Sequence, residues 1–273
     1  MTTVWAVYFS GTGTTERTVT HIAGELARLL AAPCRSLDFT RPQVRQQELD
    51  FSQSDLVVLG TPVYAGRVPN VLLPFLREKI RGGGALAVPV VLFGNRNYDD
   101  ALIELRDILQ QDGFRCVAAG AFVGEHSFSR TLGAGRPDDG DMAGQAAFAR
   151  EICEKLAGQA GTEMTPVLVR GETPIRPYYT PRDRYGNPIN ILKVKPKTDP
   201  DRCSGCGLCA ELCPMGSIDP ADVSQVRGIC IKCCAYVKKC PSGAKYFDDP
   251  GYLFHQHELE DVYTRRAENE WFV

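Results

Sequence analysis

Val4-Trp5-Ala6-Val7-Tyr8-Phe9-Ser10-Gly11-Thr12-Gly13-Thr14-Thr15 opens as a β-rich apolar run and closes in small hydroxyl-bearing and glycine residues. Beyond it Val19, Ile22, Ala23, Leu26, Leu29 and Leu30 recur at helical intervals, so the local order is strand, loop, helix. At such a junction Ser10, Gly11, Thr12, Gly13, Thr14 and Thr15 let the backbone approach a phosphate, whose charge is met by amide N–H groups and the positive end of the helix. A plain N-cap and turn is the competing reading, because threonines commonly start helices without any ligand. The loop matches neither G-x-x-x-x-G-K-[ST] nor G-x-G-x-x-G, which takes support from nucleoside triphosphate and dinucleotide sites.

Working outward, four further apolar runs lie at 34–39, 56–60, 87–93 and 117–123, with helical patterns near 70–81, 99–112 and 141–157. This alternation reads as an α/β domain, a doubly wound parallel sheet of five strands covered by helices on both faces. Ligands of such sheets bind beyond the carboxyl ends of the strands. Three loops occupy that edge: Ser10 to Thr15, Thr61-Pro62-Val63-Tyr64-Ala65-Gly66-Arg67, and Gly94-Asn95-Arg96-Asn97-Tyr98-Asp99.

The second half is decided by thiols. Eight of the 11 cysteines fall between Cys203 and Cys240, leaving Cys34, Cys116 and Cys153 as expected inert core residues. Cys203, Cys206 and Cys209 followed by Cys213-Pro214 form the C-x2-C-x2-C-x3-C-P run of bacterial iron-sulfur ferredoxins, in which the fourth thiolate serves the neighbouring cluster. A shift of 27 residues lays Cys203 on Cys230, Cys206 on Cys233, Cys213 on Cys240, Pro214 on Pro241 and Gly216 on Gly243. Cluster one is therefore expected on Cys203, Cys206, Cys209 and Cys240, and cluster two on Cys230, Cys233, Cys213 and a fourth group. The same shift lays Cys209 on Tyr236 and Gly207 on Cys234. Three fillings stay open there: Cys234 as substitute thiolate, Tyr236 or water on one iron, or a 3Fe-4S cluster with that iron missing. A structural zinc site is the competing reading of the whole motif.

Composition sets the frame. A chain of 273 residues suggests about two domains at roughly 150 residues each, and a mean hydropathy of -0.18 with 23% charged residues is ordinary for a folded protein. A net charge of -2 offers no general footprint for nucleic acid. No apolar stretch approaches the roughly 18 residues of a membrane span, and Met1 to Trp5 lacks a basic leader, so a cytoplasmic location is expected.

At this point the chain resembles a known family. S-G-T-G-T-T is similar to the flavodoxin phosphate loop T-x-T-G-x-T with serine first, and T-P-V-Y-A-G and F-G-N-R-N-Y-D are similar to the two loops that flank its isoalloxazine ring. Together with the ferredoxin motif they resemble the flavodoxin-ferredoxin fusions called the EFR family of ferredoxins, found mostly in anaerobic bacteria. The resemblance implies FMN, with Ser10, Gly11, Thr12, Gly13, Thr14 and Thr15 at its phosphate and Tyr64 and Tyr98 beside the ring. Gly94, Asn95 and Asn97 would touch the ring edge, Pro62, Val63, Ala65, Gly66 and Asp99 belong to the two ring loops, and Arg67 would approach the pyrimidine side. One 4Fe-4S cluster plus a second 4Fe-4S or 3Fe-4S cluster would complete the cofactors.

The expected organisation is a flavodoxin-like domain over 1–160 and a basic, proline-rich connector over 161–194 strapped across it. A smaller α+β ferredoxin-like domain over 195–249 and a docked tail over 250–273 follow. Lys232, Lys238 and Lys239 are candidates for raising a cluster potential, and His126 for donating a proton to a reduced substrate. The function expected is electron transfer between iron-sulfur clusters and FMN, with partners such as a ferredoxin or a reductase. The alternative is an FMN-dependent reductase of a small organic acceptor fed by the clusters.

Overall fold

A computed structural model of the chain describes residues 3–158 and 165–273. The expected 160/161 boundary and Met1 lie outside the described residues. Strands and helices run in the order β1 (Thr3–Tyr8), α1 (Thr14–Leu29), β2 (Cys34–Asp38), β3 (Leu49–Asp50), β4 (Asp55–Pro62), α2 (Leu73–Lys79), β5 (Ile80–Arg81), β6 (Leu86–Phe93), α3 (Ala101–Gln111), β7 (Arg115–Cys116), β8 (Ala119–Val123) and α4 (Asp139–Gly158). The second half adds β9 (Lys197–Thr198), α5 (Leu208–Leu212), α6 (Ala235–Lys239), β10 (Lys245–Tyr246), α7 (Pro250–Val262) and β11 (Glu270–Phe272).

The main sheet has the order β11-β8-β6-β4-β1-β2, with β7 also paired to β6. From β2 to β8 the pairing is parallel, the flavodoxin-like arrangement. Alternation sorts its side chains: Val7, Val57, Leu59, Ala87 and Val91 pack with α2 and α3, while Val4, Ala6, Leu56, Val58, Val88 and Val90 pack with α1 and α4. Burial on both faces is why these strands read as nearly unbroken apolar runs.

The sheet departs from five strands at its edge. Glu270–Phe272 of the tail pair antiparallel with Ala119–Ala121, and the Trp271 ring stacks on Phe122 at 6.3 Å. The tail covers an edge strand that would otherwise expose unpaired backbone groups. Cys116 is buried as expected, but Cys34 is exposed on the outer strand β2 and Cys153 is only half-buried.

In the second half the internal repeat survives in the backbone. α5 and α6 are five residues each, 27 positions apart, and both begin from a left-handed residue, Gly207 at φ 75° and Cys234 at φ 55°. Gly205 and Lys232, and Gly216 and Gly243, match in the same way. A single antiparallel pair, β9 with β10, ties the unit together.

The connector behaves as a strap. Asp100, fully buried at the start of α3, accepts the Arg176 amide at 2.7 Å and its guanidinium at 2.5 and 2.9 Å, with the Glu172 amide at 3.1 Å. The Tyr178 hydroxyl donates to the Val68 carbonyl at 2.8 Å, and the Tyr179 amide to that of Ala65 at 2.8 Å.

Candidate cofactor sites

The loop between β1 and α1 is held open by its own hydrogen bonds. Ser10 Oγ accepts the Gly13 and Glu16 amides at 3.2 and 3.1 Å, and the Ser10 amide donates to Thr40 Oγ1 at 2.8 Å. Ser10 thus shapes the loop from within. The amides of Thr12, Thr14 and Thr15 find no acceptor among the described residues, leaving helix-start donors for a ligand. The loop opens into a cleft of about 450 Å³ walled by Gly11, Thr12, Thr14, Thr15, Pro62 to Tyr64, Gly94, Gly124 to Ser127 and Cys233. Small residues, orphan amides and a long cleft at the carboxyl ends of the strands fit a phosphate-bearing flavin.

Several expected flavin contacts are committed elsewhere. Asn95 donates to the Tyr263 and Arg265 carbonyls at 2.7 Å each and accepts the Ala267 amide at 3.0 Å. Tyr98 is 2% exposed and donates to Glu270 at 2.6 Å. Both are used to seat the tail, whose docking removes them from the cleft. Asn97 is exposed and accepts the Asp99 amide, Asp99 pairs with Arg96 and packs on Gly66, and Ala65 is exposed beneath the strap. Arg67 grips Glu104 at 2.6 and 2.7 Å and stacks on Tyr178, so its cation anchors the strap instead of the flavin.

His126 does line the cleft. Its Nδ1 accepts the Phe128 amide at 3.1 Å, so the neutral ring carries its proton on Nε2. Burial, with Lys238, His255 and Arg96 adding repulsion, pushes its pKa down to about 3. The imidazole is a neutral hydrogen-bonding group, and donation by an imidazolium is removed near neutral pH.

The first iron-sulfur site is a cavity of about 350 Å³ whose wall includes Cys203, Cys206, Cys209 and Cys240 together with Tyr236 and Lys245. These are the four thiols that the spacing assigns to cluster one, while Cys213 is absent from that wall and packs with Tyr236 and Ile218. Cys240 of the second half thus stands with three thiols of the first half at one cavity wall. Among the described residues no three cysteine, histidine or acidic side chains converge on a single ion site. Cys240 Sγ accepts the Ala244 amide at 3.3 Å. Burial resists its ionisation, but the Ser242 hydroxyl and the amides of Ala244, Ser242 and Lys245 together lower its pKa, as suits a thiolate ligand. Lys245, 4% exposed and donating to Thr198 at 2.6 Å, is a cation at this wall that sequence reasoning missed. Its place five residues after Cys240 was the available signal.

At the second site Cys230, Cys233 and Tyr236 come together, with Cys230 Sγ 3.4 Å from the Tyr236 hydroxyl. Burial pushes the Cys233 thiol well up, and the Cys234, Cys230 and Cys213 thiols beside it add to that rise. Cys233 also forms part of the flavin cleft wall. A Cβ placed on Gly11 would lie 3.0 Å from Cys233 Cβ and 3.5 Å from its Sγ. Tyr64 lies at the same corner, its hydroxyl driven far above the ordinary phenol range by burial and by the Cys233, Cys234 and Cys230 thiols.

The halves are clamped around this contact. Lys238 pairs with Glu125 and donates to the His126 carbonyl at 2.6 Å, Arg45 donates to the Pro214 carbonyl at 2.5 Å, and Arg130 to that of Val237 at 3.2 Å. Lys232 is buried and donates to the Leu192 and Cys230 carbonyls. Only Lys239 of the three expected lysines is exposed.

Residues 6–112 match the family model of the flavodoxin domain, and residues 196–219 that of the 4Fe-4S binding domain. Among solved structures the chain is similar to a flavodoxin from the domain Archaea, at 13% identity over 57% of this chain and 99% of that one, with a TM-score of 0.42. It is similar to the flavodoxin of Streptococcus pneumonia TIGR4 at 19% identity, over 56% and 99%, with a TM-score of 0.40. A third is the rubredoxin oxygen:oxidoreductase of the anaerobe Desulfovibrio gigas, at 15% identity over 59% and 37%, with a TM-score of 0.40. A search of curated proteins gave no match. The chain joins a flavodoxin domain, which implies FMN, to a 4Fe-4S binding domain, which implies an iron-sulfur cluster, and this pairing is one of electron transfer. Among the described residues no helix is long and apolar enough to cross a membrane.

Proposed function

We propose that this chain is an electron-transfer flavoprotein that passes electrons between two iron-sulfur sites and FMN within one polypeptide, serving a redox partner protein. The supporting observation is the Cys233 contact: a thiol expected to hold the second cluster stands in the wall of the flavin cleft, against Gly11 of the phosphate loop. When bound, FMN exchanges one or two electrons and an iron-sulfur cluster exchanges one, so the pair joins two kinds of redox couple.

The chain's own residues then have separable tasks. The Thr12, Thr14 and Thr15 amides hold the phosphate. Gly11 permits close approach of the second site, and Lys238 with Glu125 fixes the distance between halves. Lys245 offsets negative charge at the first site. His126 stays neutral beside the cleft and supplies a hydrogen-bond donor without a second charge. Cys206 is exposed whereas Cys233 is buried, so a partner protein meets the first site and the second lies between it and the flavin.

The test is anaerobic reconstitution with FMN, with and without iron and sulfide. A reduced ferredoxin should reduce the flavin rapidly only in the iron-loaded protein. Equal rates in the iron-free form would overturn the relay.

A further inference from the structure

We infer that the second iron-sulfur site is held by three thiolates, Cys213, Cys230 and Cys233, with Tyr236 filling the corner that Cys209 occupies in the first site and Cys234 outside the ligand set. The site then takes a three-iron cluster. This rests on the reading that the C-terminal half carries two clusters.

The backbone repeat decides which residue corresponds to which. α5 and α6 start from equivalent left-handed residues, so Cys234 occupies the place of Gly207, and Tyr236 that of Cys209. In the first site the Gly207 position borders the cavity without a thiol, and the thiol there comes from Cys209, two residues later. Side-chain packing agrees. Cys234 Sγ is engaged with the Lys232 carbonyl at 3.5 Å and the Tyr252 hydroxyl at 3.4 Å, and it packs with Phe247, which precedes α7, and Tyr252 in its first turn. Tyr236 packs instead with Cys209 and Cys213, between the two sites.

Tyr236 is 4% exposed and sends its hydroxyl to within 3.4 Å of Cys230 Sγ. From the Cys209-equivalent position a phenol reaches further than a thiol, so it takes the volume of the iron that a fourth cysteine would bind. A phenol with an ordinary pKa of about 10 is also a poor anionic ligand beside soft thiolates. As a neutral hydroxyl it can donate to the Cys230 thiolate, and hydrogen bonds to cluster sulfurs favour the reduced state.

The full chain, reconstituted anaerobically with ferrous iron, sulfide and FMN, should hold about seven irons and one FMN, and should show a three-iron EPR signal after mild oxidation. Cys234→Ala should leave iron content and signal unchanged. Tyr236→Cys should add about one iron and abolish the three-iron signal, whereas Tyr236→Phe should keep the signal and lower the midpoint of that cluster. About eight irons in the parent chain, falling on Cys234→Ala, would overturn the assignment, as would a Tyr236→Cys variant that folds and gains no iron. About four irons with FMN retained would overturn it and the two-site relay with it, yet leave flavin and first cluster paired. Loss of all iron or of FMN would instead be a failure of the proposed function.

Discussion

At Gly11 a hydrogen stands where any other residue would place a carbon 3.0 Å from Cys233 Cβ, and overpacking of this kind costs about 1–3 kcal/mol. The closeness of the two halves is therefore written into one residue type. His126 is shaped by the same enclosure, as is His255, whose pKa burial and Arg96 push down to about 4. In the unfolded chain both take up a proton near pH 6.5, whereas the folded protein resists until about pH 3 for His126 and about 4 for His255. Both folded values are depressed, so stability should fall as pH drops from about 6.5, by about 1–2 kcal/mol per histidine at pH 5. Urea unfolding of the holo-protein at pH 7 and pH 5 measures this, and NMR should show the His126 ring neutral from pH 5 to 8. A ring that titrates near 6.5 would contradict the enclosed position.

Among the elements, the strap depends on Asp100. With its carboxylate fully buried and four bonds pointing at it, the Arg176 guanidinium and the neighbouring amides hold its pKa down to about 2. Its contribution is complete above the unfolded value of about 3.9 and is lost as pH falls through about 2. Arg176→Ala leaves the carboxylate with amides alone. Because the Arg176 side chain is 51% exposed, the cost should be about 1–3 kcal/mol, below that of a fully buried pair, with faster proteolysis of the strap. An unchanged denaturation midpoint would show that the strap is merely laid on the surface.

The elements also show what was legible in the sequence. β1, β4 and β6 are buried on both faces and so advertise themselves as apolar runs. The five-residue helices α5 and α6 are too short for periodicity, and only the 27-residue repeat reveals them. β11 is three residues long, and its Trp271 and Phe272 read as a sticky tail because pairing with β8 leaves no trace in local pattern. That same tail explains the misplaced site residues: Asn95 and Tyr98 have the chemistry of a ring-binding loop, and here it is spent on Tyr263, Arg265, Ala267 and Glu270.

Across the whole molecule, spacing alone grouped Cys203, Cys206, Cys209 and Cys240, and the structure brings these four to one cavity wall. The approach of the second site to the flavin cleft was not legible, since it joins Gly11 to Cys233 across 222 positions and depends on clamps such as Lys238 with Glu125. The most direct test of that approach is anaerobic stopped-flow of the fully loaded chain, mixed with a limiting one-electron donor and followed at cluster and flavin absorbance over a range of protein concentrations. Electron passage from cluster to flavin should proceed at a rate independent of protein concentration. A rate rising in proportion to concentration would mean that electrons cross between molecules, and that the two cofactors are not joined within one.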